Sequence, residues 1–259
     1  MSETLFGRLF PKRKLIIAMI HVFEGERQRQ IDQALEDLER LQPYVDGVLT
    51  ENYDCGYADA NRATEEMGER LYEITATIVK RSKIPVGVNV LPNDYWQAFN
   101  IALQARCRFF QLDHVTGEFD GCESVDPDDF LWTRKGYRDI AVFGGIHPKY
   151  YELLEPTCPL AECAKKAMAL ADAVVVTGQV TGDAATMSDL REAREALGAH
   201  PLIVGSGLTP ENARVQLAIA DGAIVGTAFK DGGVQSGSQI NVQKVRALAE
   251  EVGKIRGGK

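Results

Sequence analysis

The chain has 259 residues, 45% hydrophobic and 25% charged, a composition that excludes intrinsic disorder and suits one large domain. Its 29 Lys and Arg stand against 37 Asp and Glu, a net charge of −8, so a polyanion is repelled outside a local basic pocket and no nucleic-acid partner is expected. Five cysteines, Cys55, Cys107, Cys122, Cys158 and Cys163, form no C-x-x-C pair; neither a disulfide framework nor a structural zinc site is predicted, and a reducing cytoplasm is the expected location.

Residues 1–14 read as an N-terminal extension that leads into a first strand, LIIAMIH at 15–21. No stretch of about 18 consecutive apolar residues occurs, so no transmembrane segment is predicted. Further strand candidates follow at GVLTEN (47–52), PVGVNVL (85–91), FFQLDHV (109–115), AVFGGIH (141–147), AVVVTG (173–178), PLIVGSG (201–207) and GAIVGT (222–227). Between them lie helical stripes: Ile31, Leu35, Leu38 and Leu41; Met67, Leu71, Ile74 and Ile78; and, after the last strand, Val242, Val245, Leu248 and Val252. Spacings of three and four place each set on one helix face. Pro92-Asn93-Asp94 and Thr209-Pro210-Glu211 read as helix starts, while the fourth unit carries only a weak helix near Phe130–Gly136. Eight strand–helix units without a linker predict a single closed (β/α)8 TIM barrel, with a doubly wound open sheet as the alternative.

In such a barrel, function sits where the strands end. His21, Glu51, Asn89, Asp113-His114, His147-Pro148-Lys149 and Thr177-Gly178 end or follow the first six strands. Imidazoles, carboxylates and amides on one rim suit proton transfer, which makes His21, Glu51, Asn89, Asp113, His147 and Lys149 the candidate catalytic group. His21, Glu51, Asp113 and His147 would also offer nitrogen and oxygen ligands to a divalent ion, but no H-x-H or H-E-x-x-H spacing supports one, so no metal site is assigned. Lys149 suits a phosphate or carboxylate contact better than a Schiff base. His200, ahead of the seventh strand, falls on the opposite face.

Gly205, Ser206 and Gly207 after the seventh strand, with Gly226 and Thr227 after the eighth, lie where many barrels hold a phosphate on loop N–H groups. A side chain at Gly207 or Gly226 is then expected to block the anion and leave the fold largely intact, provided φ there is not positive. Thr177, Gly178 and Thr181, in the run TGQVTGDAAT, read as a lid. Cys55, Cys122 and Trp132 read as packing residues.

IIAMIH, VDGVLTEN, IPVGVNVLPND, HVTG, IHPK, VVTGQVTG, VGSGLTPENA and ADGAIVGTAFK resemble, in order and over nearly the whole chain, the BtpA/SgcQ family. That resemblance implies a ribulose-phosphate-binding type of barrel and an association with photosystem I biogenesis, while other members look like sugar or nucleoside enzymes. Two segments depart from the family pattern: Val22-Phe23-Glu24-Gly25-Glu26 replaces a Pro-rich loop, and Leu112-Asp113-His114-Val115 replaces a Val-Asn-Val-like sequence, which implies a divergent subgroup. The leading expectation is an enzyme that acts on a small phosphorylated metabolite, a sugar phosphate or nucleotide-derived compound, by acid/base chemistry. The alternatives are a non-catalytic assembly factor and a phosphometabolite-sensing module. Self-association as a homo-oligomer through the outer helices is compatible with the sequence, and no cofactor is identified.

Overall fold

A computed structural model of the chain describes residues 4–53, 62–154, 158–234, 237 and 239–258. Eight parallel strands pair in sequence order and close on themselves: β1 (Leu15–Val22), β2 (Gly47–Asn52), β3 (Val86–Asn89), β4 (Phe109–Leu112), β5 (Ala141–Ile146), β6 (Ala173–Val176), β7 (Leu202–Val204) and β8 (Gly222–Val225). The last strand pairs with the first through Leu15 opposite Gly222 and Ala18 opposite Val225. This is the TIM barrel that the repeat pattern predicts, and the open-sheet alternative is excluded.

Around the sheet lie α1 (Leu5–Leu9), α2 (Arg27–Leu41), α3 (Glu65–Arg81), α4 (Tyr95–Ala105), α5 (Pro127–Arg134), α6 (Leu160–Leu170), α7 (Met187–Leu197), α8 (Ala213–Ile219) and α9 (Val242–Arg256), with a 3-10 turn at Thr227–Phe229. Side-chain caps start most of the long helices. Thr64 accepts from the Met67 N–H, Asp94 from Gln97, and Asn241 from Gln243, so donors that helix geometry leaves unpaired are satisfied locally. One predicted start is corrected. α8 begins at Ala213, because Asn212 Oδ1 accepts from the Thr209 N–H and its amide donates to the Gly207 carbonyl, which holds residues 209–212 in turns.

Side chains alternate between two cores. Ile16, Ala18, Ile20, Val48 and Val88 face the helices; Leu15, Ile17, Met19, Leu49, Phe109, Phe143, Val175, Ile203 and Ile224 fill the barrel interior. The N-terminal segment does more than lead into β1. α1 closes the bottom of the barrel with Phe6 and Phe10, the Phe10 ring lying 5.6 Å from Phe109 and 6.0 Å from Phe143.

The same bottom face carries one device three times. Asp46, Asp172 and Asp221, each placed directly before a strand, accept from the N–H of Ile16, Val142 and Leu202 at 2.8, 2.8 and 2.9 Å. Each carboxylate also pairs with an arginine: Arg256 for Asp46, Arg134 for Asp172 and Arg194 for Asp221, the last two at 2.6 Å. Strand starts at three points of the base are thereby tied to α5, α7 and α9. His200 lies on this face, where Arg194 donates to its carbonyl.

One cysteine expectation is overturned: Cys158 and Cys163 form a disulfide, while Cys107 and Cys122 are free. Residues five apart are brought within reach because the chain turns into α6 between them. Cys55 lies outside the described residues.

Removal of the Phe10 ring should leave a cavity under the barrel floor. Phe10→Ala is expected to lower the unfolding free energy by about 3 kcal/mol, measured by urea denaturation.

Candidate active site

Period-two alternation carries the interior rows of β1 to β4 upward into polar residues. Above Met19 comes His21, above Leu49 comes Glu51, and above Phe109 come Gln111 and Asp113. Register places His21 opposite Glu51, Glu51 opposite Asn89, and Asn89 opposite Gln111. These residues meet at the bottom of a cavity of about 710 Å³ at the C-terminal ends of the strands, whose lining includes Met19, His21, Glu51, Gln111, Asp113, Lys149 and Thr177.

The carboxyl groups of Glu51 and Asp113 are joined by one amide. Asn89 Nδ2 donates to Glu51 Oε2 at 2.7 Å and to Asp113 Oδ1 at 3.3 Å. Burial, followed by the Asp113 charge, pushes Glu51 up to about 7. Burial also raises Asp113, against the opposing pull of the Asn89 hydrogen bond and the Lys149 charge. Two carboxyls so close in a dry setting do not both ionise readily, and one retains a proton near neutral pH. His21 Nε2 lies 3.9 Å from Glu51 Oε1. This is not an ion pair, because burial and then the charges of Lys230 and Lys149 push the imidazole down to about 3 and keep it neutral. His21 Nδ1, Asn89 Oδ1 and Gln111 Oε1 are buried without a hydrogen-bond partner among the described residues. Of these residues, His21 and Gln111 line the cavity, where a ligand can supply the missing partner.

Two of the expected catalytic residues do other work. Asn89 is fully buried beneath the cavity and acts on it only through the two carboxyls. His147 does not line the cavity; its Nε2 meets the Cys158 carbonyl at 2.9 Å, and the left-handed backbone at φ +49° turns the ring aside. The four-ligand metal set is thereby broken up, and among the described residues no group of three His, Cys, Asp or Glu side chains is arranged to hold an ion. His114 is also buried away from the cavity, with Nε2 at 2.9 Å from the Cys122 sulfur.

On the far side of the ring, Gly205, Ser206, Gly207, Gly226 and Thr227 all line the same cavity. The Ser206 hydroxyl is already committed. It donates to the Asp183 carbonyl at 2.6 Å, accepts from the Gly178 N–H at 3.1 Å, and lies 2.8 Å from Thr177 Oγ1, which must therefore donate to it. Ser206 thus fastens the loop after β6 to the loop after β7, and any contact it makes with an anion is left to its backbone. Of the three lid candidates, Thr177 and Thr181 line the cavity, while Gly178 lies beneath it on the Ser206 staple.

The condition on φ fails at Gly207, and at Gly226 the expectation that a side chain would spare the fold is corrected. Gly207 sits at φ +69°, and a Cβ there would fall 2.2 Å from the Ala184 nitrogen; at Gly226 it would fall 2.7 Å from His21 Cε1. Gly226 is the space that the His21 ring occupies. Gln111, Phe23, Tyr53, Tyr150 and Tyr151 also line the cavity and went unassigned from sequence. Gln111, Phe23 and Tyr53 each stand two residues from an assigned one, so the strand period alone would have found them.

The raised Glu51 carboxyl has a consequence for stability. Between its ordinary value of 4.5 and about 7 the unfolded chain releases this proton while the folded chain keeps it, so stability falls as pH rises through that window. Glu51→Gln should flatten the decline, a change on the order of 1–3 kcal/mol between pH 5 and pH 8 by chemical denaturation.

Comparison with known proteins bears on this geometry. Residues 12–254 match the model of the BtpA family. An uncharacterised protein of Pyrococcus abyssi is 28% identical over 264 residues, 94% of this chain and 98% of its own. The photosystem I biogenesis protein BtpA of Synechocystis is 27% identical over 195 residues, 72% of this chain and 67% of its own. Among solved structures, phosphoribosyl anthranilate isomerase from Thermococcus kodakaraensis aligns with a TM-score of 0.59 at 13% identity, covering 92% of this chain and 98% of that one. Tryptophan synthase from M. tuberculosis aligns with a TM-score of 0.60 at 13% identity, covering 98% and 99%. At such identity these two likenesses show the barrel and nothing finer. With its strand-end motifs and its barrel matched by the family model over nearly the whole length, the chain belongs to the BtpA family.

Proposed function

We propose that this protein is an enzyme that carries out acid/base chemistry on a small phosphorylated metabolite, a sugar phosphate or nucleotide-derived compound. The observation that carries the reading is the Glu51–Asn89–Asp113 arrangement: two buried carboxyls, joined by one amide, at the bottom of a cavity of metabolite size. At neutral pH the pair offers one proton to give and one carboxylate to receive, which is what isomerisation, aldol-type cleavage or glycosidic cleavage requires. Neutral His21 serves beside Glu51 as a hydrogen-bonding partner and not as a cation.

The phosphate is assigned to the Gly205–Gly207 and Gly226–Thr227 loop ends, whose residues line the cavity and whose glycines let an anion approach backbone N–H groups. The fold neighbour whose name carries a phosphoribosyl group supports this end of the reading. Thr177 and Thr181 then flank the bound molecule as part of a lid. No described helix is long and apolar enough to cross a membrane, and a cytoplasmic location is part of this reading. The Synechocystis relative favours a second reading, a role in photosystem assembly without catalysis.

A thermal-shift panel of phosphorylated metabolites tests the ligand class, because a ligand at about 100 times its Kd stabilises by about 2.7 kcal/mol. Once a substrate is found, Asp113→Asn and Glu51→Gln should each lower kcat by about 10²- to 10⁴-fold while ligand-induced stabilisation persists. Full turnover in both variants would remove the acid/base reading and leave binding or assembly.

A further inference from the structure

Lys149 stands apart from the other charged groups of the site. It is the single Lys or Arg in the cavity lining, and its amine makes no hydrogen bond or ion pair with any described residue. Its charge nevertheless reaches His21, Glu51 and Asp113 together. The segment that carries it is fastened on both sides. Before it, His147 meets the Cys158 carbonyl at 2.9 Å, and Cys158 is bonded to Cys163 of α6. After it, the Tyr150 hydroxyl donates to Thr181 Oγ1 at 2.9 Å and accepts from the Thr181 N–H at 2.8 Å, while the Tyr151 hydroxyl donates to the Pro92 carbonyl at 2.6 Å. His147 and Tyr150 hold left-handed backbone at φ +49° and +65°. Non-glycine residues keep such a conformation only where the surroundings enforce it. An unpaired ammonium on a fixed support, beside an acid/base pair, is the arrangement that stabilises negative charge appearing on oxygen.

We infer that Lys149 receives a second oxyanion of the ligand, and that the substrate is a phosphorylated carbonyl compound that loses a proton from the carbon beside its carbonyl group. The inference rests on the acid/base reading and narrows it. In the step, the Asp113 carboxylate takes the proton from that carbon, the C–H electron pair becomes the carbon–carbon double bond, and the carbonyl electron pair moves onto oxygen. The Lys149 ammonium holds that oxygen. Protonation of the enolate by the Glu51 carboxyl completes the step, with one proton taken and one returned and no oxidant or reductant required. His147, Tyr150 and Tyr151 are positioning residues for the lysine.

The test is calorimetric titration with three probes: inorganic phosphate, ethyl phosphate, and 2-phosphoglycolate, which adds a carboxylate to a phosphate of the same reach. Wild type should bind 2-phosphoglycolate at least about tenfold more tightly than ethyl phosphate, as a charge-assisted contact to one amine warrants. Lys149→Met should bring that ratio close to one, weakening 2-phosphoglycolate far more than ethyl phosphate, and Lys149→Arg, which keeps the charge, should restore part of it. A ratio near one in wild type, or a ratio that survives in a folded Lys149→Met, overturns the assignment of Lys149 while phosphate binding stands. Failure of all three probes to bind wild type overturns the phosphate site itself and the inference with it.

Discussion

Closure of eight short parallel strands makes every second residue an interior residue, and both the stability of this protein and its chemistry follow from what occupies those positions. In the lower half they are Leu15, Ile17, Leu49, Phe109 and Phe143, sealed from below by Phe6 and Phe10. In the upper half the same rows reach His21, Glu51, Gln111 and Asp113. Carboxyls raised on a dry aromatic support lose hydration, and desolvation is the first cause of the upward displacement of both. The packing that makes the barrel firm is what brings its acids into the range where they exchange protons near neutrality.

Three carboxylates at the base and three polar atoms at the top of the barrel stand in contrast. At the base, Asp46, Asp172 and Asp221 each satisfy a strand N–H and an arginine at once. At the top, His21 Nδ1, Asn89 Oδ1 and Gln111 Oε1 have no partner among the described residues, and the Lys149 amine makes no ion pair there. An unpaired buried polar atom costs roughly 1–3 kcal/mol, so a fold that supports several at one end needs a well-tied opposite end. Loops at the upper rim are held by hydroxyls, Ser206 across the loops after β6 and β7 and Tyr150 across those after β5 and β6. Such contacts fix the positions of side chains around the cavity without filling it.

Much of the architecture was legible because it is local or periodic. Alternating apolar runs and helical stripes located all eight strands, and the residues at or just past their ends included Glu51, Asp113 and Lys149. The Thr209-Pro210 signal misled because a proline after a threonine reads as a helix start wherever the chain turns, and here Asn212 ties those residues into turns instead. His147 misled for a related reason: strand parity places it on the rim, but a left-handed backbone just past β5 sends its ring to the Cys158 carbonyl.

The sequence by itself determined the barrel, its strand order and the rim on which the polar residues gather, since hydrophobic period and strand-end position depend only on neighbours along the chain. The tertiary structure decided which of those residues share a cavity. The Asn89 bridge between Glu51 and Asp113 joins three strands, the space for the His21 ring comes from a missing side chain at Gly226, and the Phe10 plug meets β4 and β5 from the other end of the chain. Each of these joins residues remote in sequence whose distance is set only when the sheet closes.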